Sequence, residues 1–389
     1  MLKLIFLFVF LSTLLNISFA GIIKDQTYFN TIGSVASFSW APARYQNDFR
    51  YDIFYYIPES IKEESNIPAI IFNHGGGSST MTREGSIKAV NLYMKDLQRL
   101  ADELKIIVVL PSANGLNWGG HTRGVVRDLA RLMRKDLEID VNRIGLSGHS
   151  MGGMGITRSY LWVADEFSFF MPMSAGMDVN HQTEEHLNKV FNTPYIHLQG
   201  KADHFEIFIT RCEEQLRRTK ELEIKYNQFS MLDVIFYEGN HNYNYELFKS
   251  KVSRMMGAFP RDLFQKELWG SLHTVQSVNT ENGIAYDYDS ESRYFWIEAR
   301  ETDLSVSERI DFHAKIVDQK ILIDLKEMPK QSRSLRIYLS SKMIDLSLPI
   351  EIYLNGSLFE TRTPREFTAM VRDPHDTGFV FDDFIDLKI

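Results

Sequence analysis

The sequence predicts an α/β protein in which a mostly parallel, doubly wound sheet is followed by a smaller all-β sandwich. From about residue 34 to residue 256, short apolar runs alternate with amphipathic helical stretches, as in chains that join parallel strands through covering helices. From about residue 273, alternation with a period of two replaces that rhythm, and no long helical pattern follows. At 389 residues, the chain is also longer than one compact core usually holds, so two domains are expected.

The first region alternates strand candidates with helical stripes. One helix carries an apolar stripe from Val90 to Leu104, and another carries one from Val125 to Leu132. Both stripes have the spacing of helix surfaces that face a core, and neither indicates a cofactor. The strand candidates are residues 51–57, 69–72, 106–110, 144–147, 167–173, 195–198 and 234–237.

The second region is predicted to form a β-sandwich over residues 270–389, after an α/β domain over residues 21–265. Alternating isoleucine and leucine residues lead into Asn355-Gly356, a dipeptide that favours a type I′ hairpin turn. The aromatic run at residues 293–296 is expected to pack in the core of this domain, with binding of sugar rings as the alternative.

The first twenty residues have the three parts of a secretory signal peptide. Lys3 precedes a nearly continuous apolar run over residues 4–15, and Ser18 and Ala20 supply small side chains before a cleavage site. An uncleaved membrane anchor is the alternative. The apolar run is short for a bilayer span, so stable membrane insertion is not expected. The prediction is a secreted or periplasmic protein.

The overall composition is that of an ordinary globular protein, with 44% hydrophobic and 24% charged residues. A formal charge of −8, without a local cluster of Lys and Arg, argues against a nucleic-acid partner. No pattern indicates a metal or a cofactor. The single cysteine, Cys212, falls in helical register with apolar residues and is expected to be a small buried side chain rather than a nucleophile.

The segment from Gly148 to Gly152 contains the pattern G-x-S-x-G between a predicted strand and a predicted helix. This is the context of a nucleophile elbow, in which a serine sits on a sharp strand-to-helix turn. The two glycines are expected because the turn leaves no room for side chains two residues from Ser150 on either side. The helix N-terminus beside the hydroxyl favours developing negative charge.

A second glycine-rich motif, His74-Gly75-Gly76-Gly77, ends an earlier predicted strand. Glycines without side chains allow backbone N–H groups to approach a substrate carbonyl closely, as an oxyanion hole requires. A simple glycine-rich turn is the structural alternative.

The remaining members of a catalytic triad should follow the serine in the order acid and then histidine. Asp203 comes just after a predicted strand and is favoured as the acid, with Asp178 after the preceding strand as its competitor. His241, at the end of the next strand, is the best candidate for the histidine. His204 opens a helix and is expected to cap it or line the cleft, and His149 is expected to pack beside the serine.

The run over residues 141–153 resembles secreted esterases of the polyhydroxybutyrate-depolymerase and feruloyl-esterase type. It is also similar to dienelactone-hydrolase and prolyl-oligopeptidase relatives, and the resemblance extends over about residues 34–256 at the level of motifs. The resemblance implies an α/β-hydrolase fold. It also implies site roles: Ser150 as nucleophile, His241 as general base and then acid, Asp203 as its orienting acid, the backbone of Met151, Gly75 and Gly76 as oxyanion hole, and Trp118 and His74 as substrate contacts. For Trp118, a packed position in the core is the alternative.

The predicted function is that of an exported serine hydrolase, which cleaves small or polymeric carboxylic esters through an acyl-enzyme intermediate. The same residues would serve a serine peptidase of the prolyl-oligopeptidase type, but no long β-propeller segment is present to exclude large substrates. A non-catalytic carbohydrate-binding protein is the second alternative. The sequence leaves the oligomeric state open.

Overall fold

A computed structural model describes most of the chain. The residues described are 21–41, 50–77, 80–115, 118, 122–262, 264–274, 279–281, 284–286, 293–300, 308–328, 334–363, 371–372 and 380–389. The signal peptide predicted at residues 1–20 lies outside this range. Among the helices formed by the described residues, none combines the length and the hydropathy that a membrane span requires.

Eight strands form the principal sheet, in the spatial order β1-β2-β4-β3-β5-β6-β7-β8. Strand β2 runs antiparallel to both of its neighbours, and the strands from β4 through β8 are parallel to one another. Each of the seven strand predictions is confirmed within it. The strands are β1 (Ala36–Trp40), β2 (Tyr51–Tyr56), β3 (Ile67–Asn73), β4 (Ile107–Pro111), β5 (Ile139–His149), β6 (Phe169–Met173), β7 (Tyr195–Gly200) and β8 (Leu232–Tyr237).

Helices cover both faces of this sheet. Successive residues of a strand point to opposite faces, so Ile70 and Phe72 pack with the helices of one face while Ala69 and Ile71 pack with those of the other. Helices α1 and α6 cover the first face, and α2, α3 and α5 cover the second. The helices are α1 (Arg83–Leu104), α2 (Thr122–Asp136), α3 (Met151–Val163), α4 (Glu184–Leu187), α5 (Glu206–Tyr226) and α6 (Tyr245–Ala258).

The carboxyl ends of the parallel strands lie at one edge of the sheet, called the carboxyl edge here. Ser150 directly follows β5, while Asp203 and His241 follow β7 and β8 at short distances. In open α/β sheets, functional residues gather at this edge because the loops after several strands meet there. The mostly parallel sheet, its covering helices and the strand-to-helix turn at Ser150 confirm the predicted α/β-hydrolase fold.

The described residues after Glu267 form β-sheets, as the period-two alternation predicts. A five-stranded sheet has the order β18-β17-β15-β14-β9, a four-stranded sheet has the order β12-β13-β16-β21, and β10-β11 and β19-β20 are two-stranded. The strands are β9 (Glu267–Thr274), β10 (Asn279–Glu281), β11 (Ile284–Tyr286), β12 (Arg293–Tyr294), β13 (Ile297–Arg300), β14 (Glu308–Val317), β15 (Lys320–Leu325), β16 (Ser334–Leu339), β17 (Ile350–Leu354), β18 (Ser357–Arg362), β19 (Val371–Arg372), β20 (Val380–Phe381) and β21 (Asp383–Lys388).

Two local predictions for this β domain are confirmed. Asn355 and Gly356 join β17 to β18 with φ of 47° and 77°, the positive values that a type I′ turn requires at both positions. In the aromatic run, Tyr294, Phe295 and Trp296 are at most 1% exposed. These rings therefore belong to the core and have no free face for a sugar.

The β domain packs against the opposite edge of the principal sheet, called the amino edge here. Asn192, which precedes β7, donates from Nδ2 to the Trp269 carbonyl at 2.6 Å and accepts from the Trp269 N–H at 3.1 Å. Asp165, which precedes β6, accepts from the Phe295 N–H at 3.3 Å. Since Asn192 and Asp165 lie at the amino ends of parallel strands, the β domain lies at the amino edge of the sheet and Ser150 at the carboxyl edge.

Candidate active site

The turn between β5 and α3 holds Ser150 in an unusual backbone conformation. Its φ of 54° and ψ of −118° are outside the regions that a side chain ordinarily favours, and such strain is concentrated at functional sites. A Cβ added at Gly148 would lie 2.8 Å from the Asn73 carbonyl oxygen, and one added at Gly152 would overlap the same carbonyl. The two glycines therefore allow the elbow to pack against the end of β3.

The side chains of Ser150, His241 and Asp203 form a continuous chain of hydrogen bonds. The Ser150 Oγ lies 2.8 Å from His241 Nε2. His241 Nδ1 lies 2.9 Å from Asp203 Oδ2 and 3.1 Å from Oδ1. Because a carboxylate only accepts, Nδ1 carries the proton, and Nε2 is left to accept the serine proton. This is the arrangement of nucleophile, general base and orienting acid.

Two further donors hold the Asp203 carboxylate. The Phe205 N–H donates to Oδ1 at 2.9 Å, and Gln199 Nε2 donates to Oδ2 at 2.9 Å. Burial raises the pKa of Asp203, but hydrogen bonds from His241, the Phe205 backbone and Gln199 outweigh that effect and leave the pKa below its ordinary value. The carboxylate therefore stays ionised and able to stabilise an imidazolium.

The competing carboxylate, Asp178, has other partners. It accepts from the Asn180 N–H at 3.0 Å, where it caps a 3-10 turn, and it pairs with Arg211 at 3.5 Å. The structure thus brings Asp203, and not Asp178, to the imidazole.

The backbone groups predicted for the oxyanion hole lie beside the serine. Asn73 pairs with Gly148 in the register of β3 and β5, so the loop at Gly75 and Gly76 leaves the sheet next to the elbow. A Cβ on Gly75 would lie 3.0 Å from the His149 carbonyl oxygen. Met151 is the first residue of α3, where a backbone N–H has no partner within the helix. Such groups can donate to an oxyanion formed at Ser150.

His74 and Trp118 support this loop from inside the protein. The Trp118 indole N–H donates to the His74 carbonyl at 2.9 Å, and His74 Nε2 accepts from the Ala113 N–H at 3.0 Å. His74 Nδ1 then carries the proton and donates to the Gly75 carbonyl at 2.9 Å. Burial lowers the pKa of His74 to about 4, so the ring is neutral. Neither ring is more than 1% exposed, and contact of either with substrate stays a prediction.

An exposed apolar ring lies beside the His241 imidazole. The Phe205 ring lies 4.9 Å from the His241 ring and is 44% exposed. His204 is exposed, with its ring 5.1 Å from that of His241, so it lies beside the imidazole and does not cap the helix. Exposed apolar side chains at this position offer a surface to an apolar part of a substrate.

Sequence reasoning missed the role of Gln199. The signal was a glutamine at the end of β7, a strand in which all six residues are buried, four positions before Asp203. A buried amide requires a partner, and the carboxylate of Asp203 follows four positions later in the chain.

Cys212 is buried, as predicted, with Sγ 3.4 Å from His197 Nε2. Burial raises the pKa of the thiol well above its ordinary value, which makes it a poor nucleophile. Within the described ranges, no three His, Cys, Asp or Glu side chains are grouped in a way that would hold a metal ion.

Comparison with protein-family models gives no match, and comparison with curated proteins gives none either. Among solved structures, the chain is similar to a thermostable esterase, at 14% identity and a TM-score of 0.47. That match covers 59% of this chain and 64% of the esterase, which is less than two thirds of its length.

Two other similar structures are covered almost completely. An S-formylglutathione hydrolase from Staphylococcus aureus is 16% identical, with a TM-score of 0.40, over 58% of this chain and 97% of that one. A feruloyl esterase module from Clostridium thermocellum is 15% identical, with a TM-score of 0.44, over 61% of this chain and 93% of that one.

Proposed function

We propose that the protein is a serine hydrolase that cleaves carboxylic esters through an acyl-enzyme intermediate. One observation carries the proposal: Ser150, on a strained turn at the carboxyl edge, is joined to His241 at 2.8 Å and through it to Asp203 at 2.9 Å. A serine hydroxyl is a weak nucleophile until an adjacent base accepts its proton, and this chain supplies that base.

The reaction would proceed in two balanced steps. Ser150 Oγ attacks the ester carbonyl carbon while its proton passes to His241 Nε2, and the backbone N–H groups beside the elbow bind the oxyanion. The tetrahedral intermediate collapses, and the leaving alkoxide takes the proton from His241. Water then attacks the acyl-serine with His241 as base, which releases the carboxylic acid and restores the free hydroxyl.

The surroundings of Ser150, His241 and Asp203 support a finer substrate class. Phe205 presents an exposed apolar ring beside His241, which favours esters with an apolar or aromatic part next to the scissile bond. The β domain lies at the amino edge, away from Ser150. It therefore does not hinder the approach of a polymeric ester to the carboxyl edge. A peptidase that excludes large substrates would require a domain over the carboxyl edge.

Labelling with a fluorophosphonate tests the proposal. The wild-type protein should be labelled at Ser150, and Ser150→Ala should lose both the label and the hydrolysis of short-chain and aromatic nitrophenyl esters. Ser253→Ala, at an exposed position of α6, is the matched control and should keep both. Full ester hydrolysis by folded Ser150→Ala would overturn the assignment.

We also propose that the protein is exported after removal of residues 1–20. The support is the sequence pattern alone: a positive residue, an apolar run and small residues before Gly21. Mass analysis of the protein recovered outside the cytoplasm should find Gly21 as its first residue, and an intact Met1 on that protein would contradict the proposal.

A further inference from the structure

The residue before the nucleophile, His149, makes two hydrogen bonds that the proposed reaction does not use. Its Nε2 lies 2.6 Å from the backbone carbonyl oxygen of His241, and its Nδ1 lies 2.7 Å from the Tyr93 hydroxyl. A carbonyl oxygen only accepts, so Nε2 carries the proton and donates to it. Nδ1 is then the acceptor, and the Tyr93 hydroxyl donates to it.

The surroundings keep both groups in these roles. Burial lowers the pKa of His149 to about 4, so near pH 7 the ring is neutral with one proton. Burial raises the pKa of Tyr93 to about 12, against a smaller opposing effect of the Gly75 backbone, so its hydroxyl keeps its proton. The direction of donation along the pair is thereby fixed from Tyr93 to His149 to the His241 backbone.

Tyr93 is itself fixed from the side of α1. Its ring stacks on the Tyr243 ring with centroids 5.9 Å apart and lies 5.2 Å from the Phe72 ring. The Tyr243 hydroxyl donates to Asp96 Oδ2 at 2.5 Å, which ties the segment after His241 to α1 as well. Tyr93 thus connects α1, through His149, to the loop that carries His241.

The same pair also contacts the loop of the predicted oxyanion hole. A Cβ on Gly75 would lie 3.1 Å from His149 Nδ1 and would overlap the Tyr93 hydroxyl. The pair therefore touches three catalytic segments: the elbow, of which His149 is a part, the His241 loop and the glycine loop. Only a glycine allows the third contact.

We propose that Tyr93 and His149 are positioning residues, which hold the His241 loop and the oxyanion loop in register with Ser150. This inference rests on the proposed function, because it assigns a role to residues around the same nucleophile. Neither side chain exchanges a proton with substrate. They act by fixing the backbone at His241, so that its Nε2 stays within 2.8 Å of the Ser150 Oγ.

The decisive variant is His149→Leu, which introduces an apolar side chain of similar bulk and removes the donor to the His241 carbonyl. A small misplacement of a catalytic group can reduce the rate by about 10²-fold, so kcat should fall by roughly that factor while KM changes little. His149→Gln places an amide N–H at a reach similar to that of Nε2, and it should recover most of the lost kcat.

Tyr93→Phe tests the other half of the pair. Removal of the hydroxyl leaves His149 Nδ1 without its donor, and kcat should fall by about tenfold. Tyr245→Phe is the matched control, because the buried Tyr245 hydroxyl has no hydrogen-bond partner among the described residues. The Tyr93→Phe and His149→Leu losses should not add in the double variant, since both act through one chain of bonds.

The outcomes separate this inference from the proposed function. If wild-type protein neither reacts with fluorophosphonate nor hydrolyses esters, the proposed function fails. If wild-type protein does both, but folded His149→Leu keeps its full kcat, the positioning role is wrong. A lower melting temperature with unchanged kcat would also overturn it, because that is the result of a structural role. Should His149→Leu fail to fold, full activity of Tyr93→Phe would overturn the inference.

Discussion

The two edges of the principal sheet both contain buried polar groups, yet they use them differently. At the carboxyl edge, the hydrogen bonds from Gln199 through Asp203 and His241 end at the partly exposed hydroxyl of Ser150. At the amino edge, the buried Glu166 carboxylate forms ion pairs with the guanidinium groups of Arg131 and Arg134. A series of hydrogen bonds that ends at a partly exposed hydroxyl leaves that hydroxyl free to react. A series of polar contacts that ends on other buried protein groups can only stabilise the fold.

The amino edge illustrates the second case in detail. Glu166 Oε1 lies 2.5 Å from Arg131 and Oε2 lies 2.7 Å from Arg134, and all three side chains are largely buried. Arg261 donates to the neighbouring Asp165 carbonyl at 2.8 Å. Burial raises the pKa of Glu166, but Arg131 and Arg134 outweigh that effect and leave the pKa well below its ordinary value. The β domain reaches this cluster through the bond from Phe295 to Asp165.

The comparison predicts that damage at the carboxyl edge removes activity without affecting stability. His241→Ala should reduce kcat about as much as Ser150→Ala, by up to about 10⁶-fold, because the two residues act as one unit. The double variant should be no worse than either single variant. Free energies of unfolding measured with urea should change far less than kcat does, since Ser150 and His241 are partly exposed and lie outside the apolar core. A double variant that is far less active than both single ones would argue against the pairing.

The acid of the triad should show the next largest effect. Asp203→Asn removes the negative charge and replaces one accepting oxygen with an NH2 group, so the His241 tautomer is no longer fixed and kcat should fall by up to about 10⁴-fold with little change in KM. Asp178→Asn is the matched control and should cost less than about tenfold, since Asp178 bonds to Asn180 and Arg211. Steady-state kinetics on one ester at one pH, with folding checked by circular dichroism, would reverse the assignment if the ranking were opposite.

The amino edge should respond in the reverse manner. Glu166→Gln leaves two buried guanidinium groups without their carboxylate, and breaking such a pair costs about 3–5 kcal/mol of unfolding free energy. The kcat of the folded fraction should stay near wild type. Glu221→Gln, which breaks an exposed pair with Arg217 on α5, is the matched control and should change urea unfolding little. A large fall in kcat for folded Glu166→Gln would break the separation of the two edges.

The pH dependence of stability gives a smaller effect at the same site. Because the folded pKa of Glu166 lies below its ordinary value of 4.5, its contribution is fully present above about pH 4.5 and is lost as the pH falls toward the folded pKa. Urea unfolding from pH 6 to pH 3 should therefore show a steeper loss of stability for wild type than for Glu166→Gln. Parallel curves would mean that Glu166 does not titrate with unfolding.

Local patterns made much of this structure predictable. The strands and helices could be predicted from hydrophobic periodicity. Ser150 could be predicted from the G-x-S-x-G motif, whose glycines leave room for the sharp turn at the serine. His241 and Asp203 were found because chain order and strand ends limit the choices. Cys212 was correctly expected to be buried, because it lies in helical register with Phe208, which is also buried on α5.

What the sequence could not indicate depends on contacts between distant segments. Tyr93 lies on α1 and His149 ends β5, and nothing in their local sequence shows that the hydroxyl meets the imidazole. The charges of Arg131, Arg134 and Glu166 are typical of solvated helix surfaces, and their burial depends on ion pairs between segments that lie far apart in the sequence. Such roles arise from tertiary packing, which a period or a motif does not encode.

The acyl-enzyme itself offers the most direct test of the central claim. Protein quenched in acid during turnover of a nitrophenyl ester, then digested and analysed by mass spectrometry, should carry the acyl group on the peptide that contains Ser150. Asp203→Asn should yield the same adduct at a lower rate, since the nucleophile is unchanged. Continued hydrolysis with the acyl group on a different residue, or undiminished turnover by folded Ser150→Ala, would contradict the account.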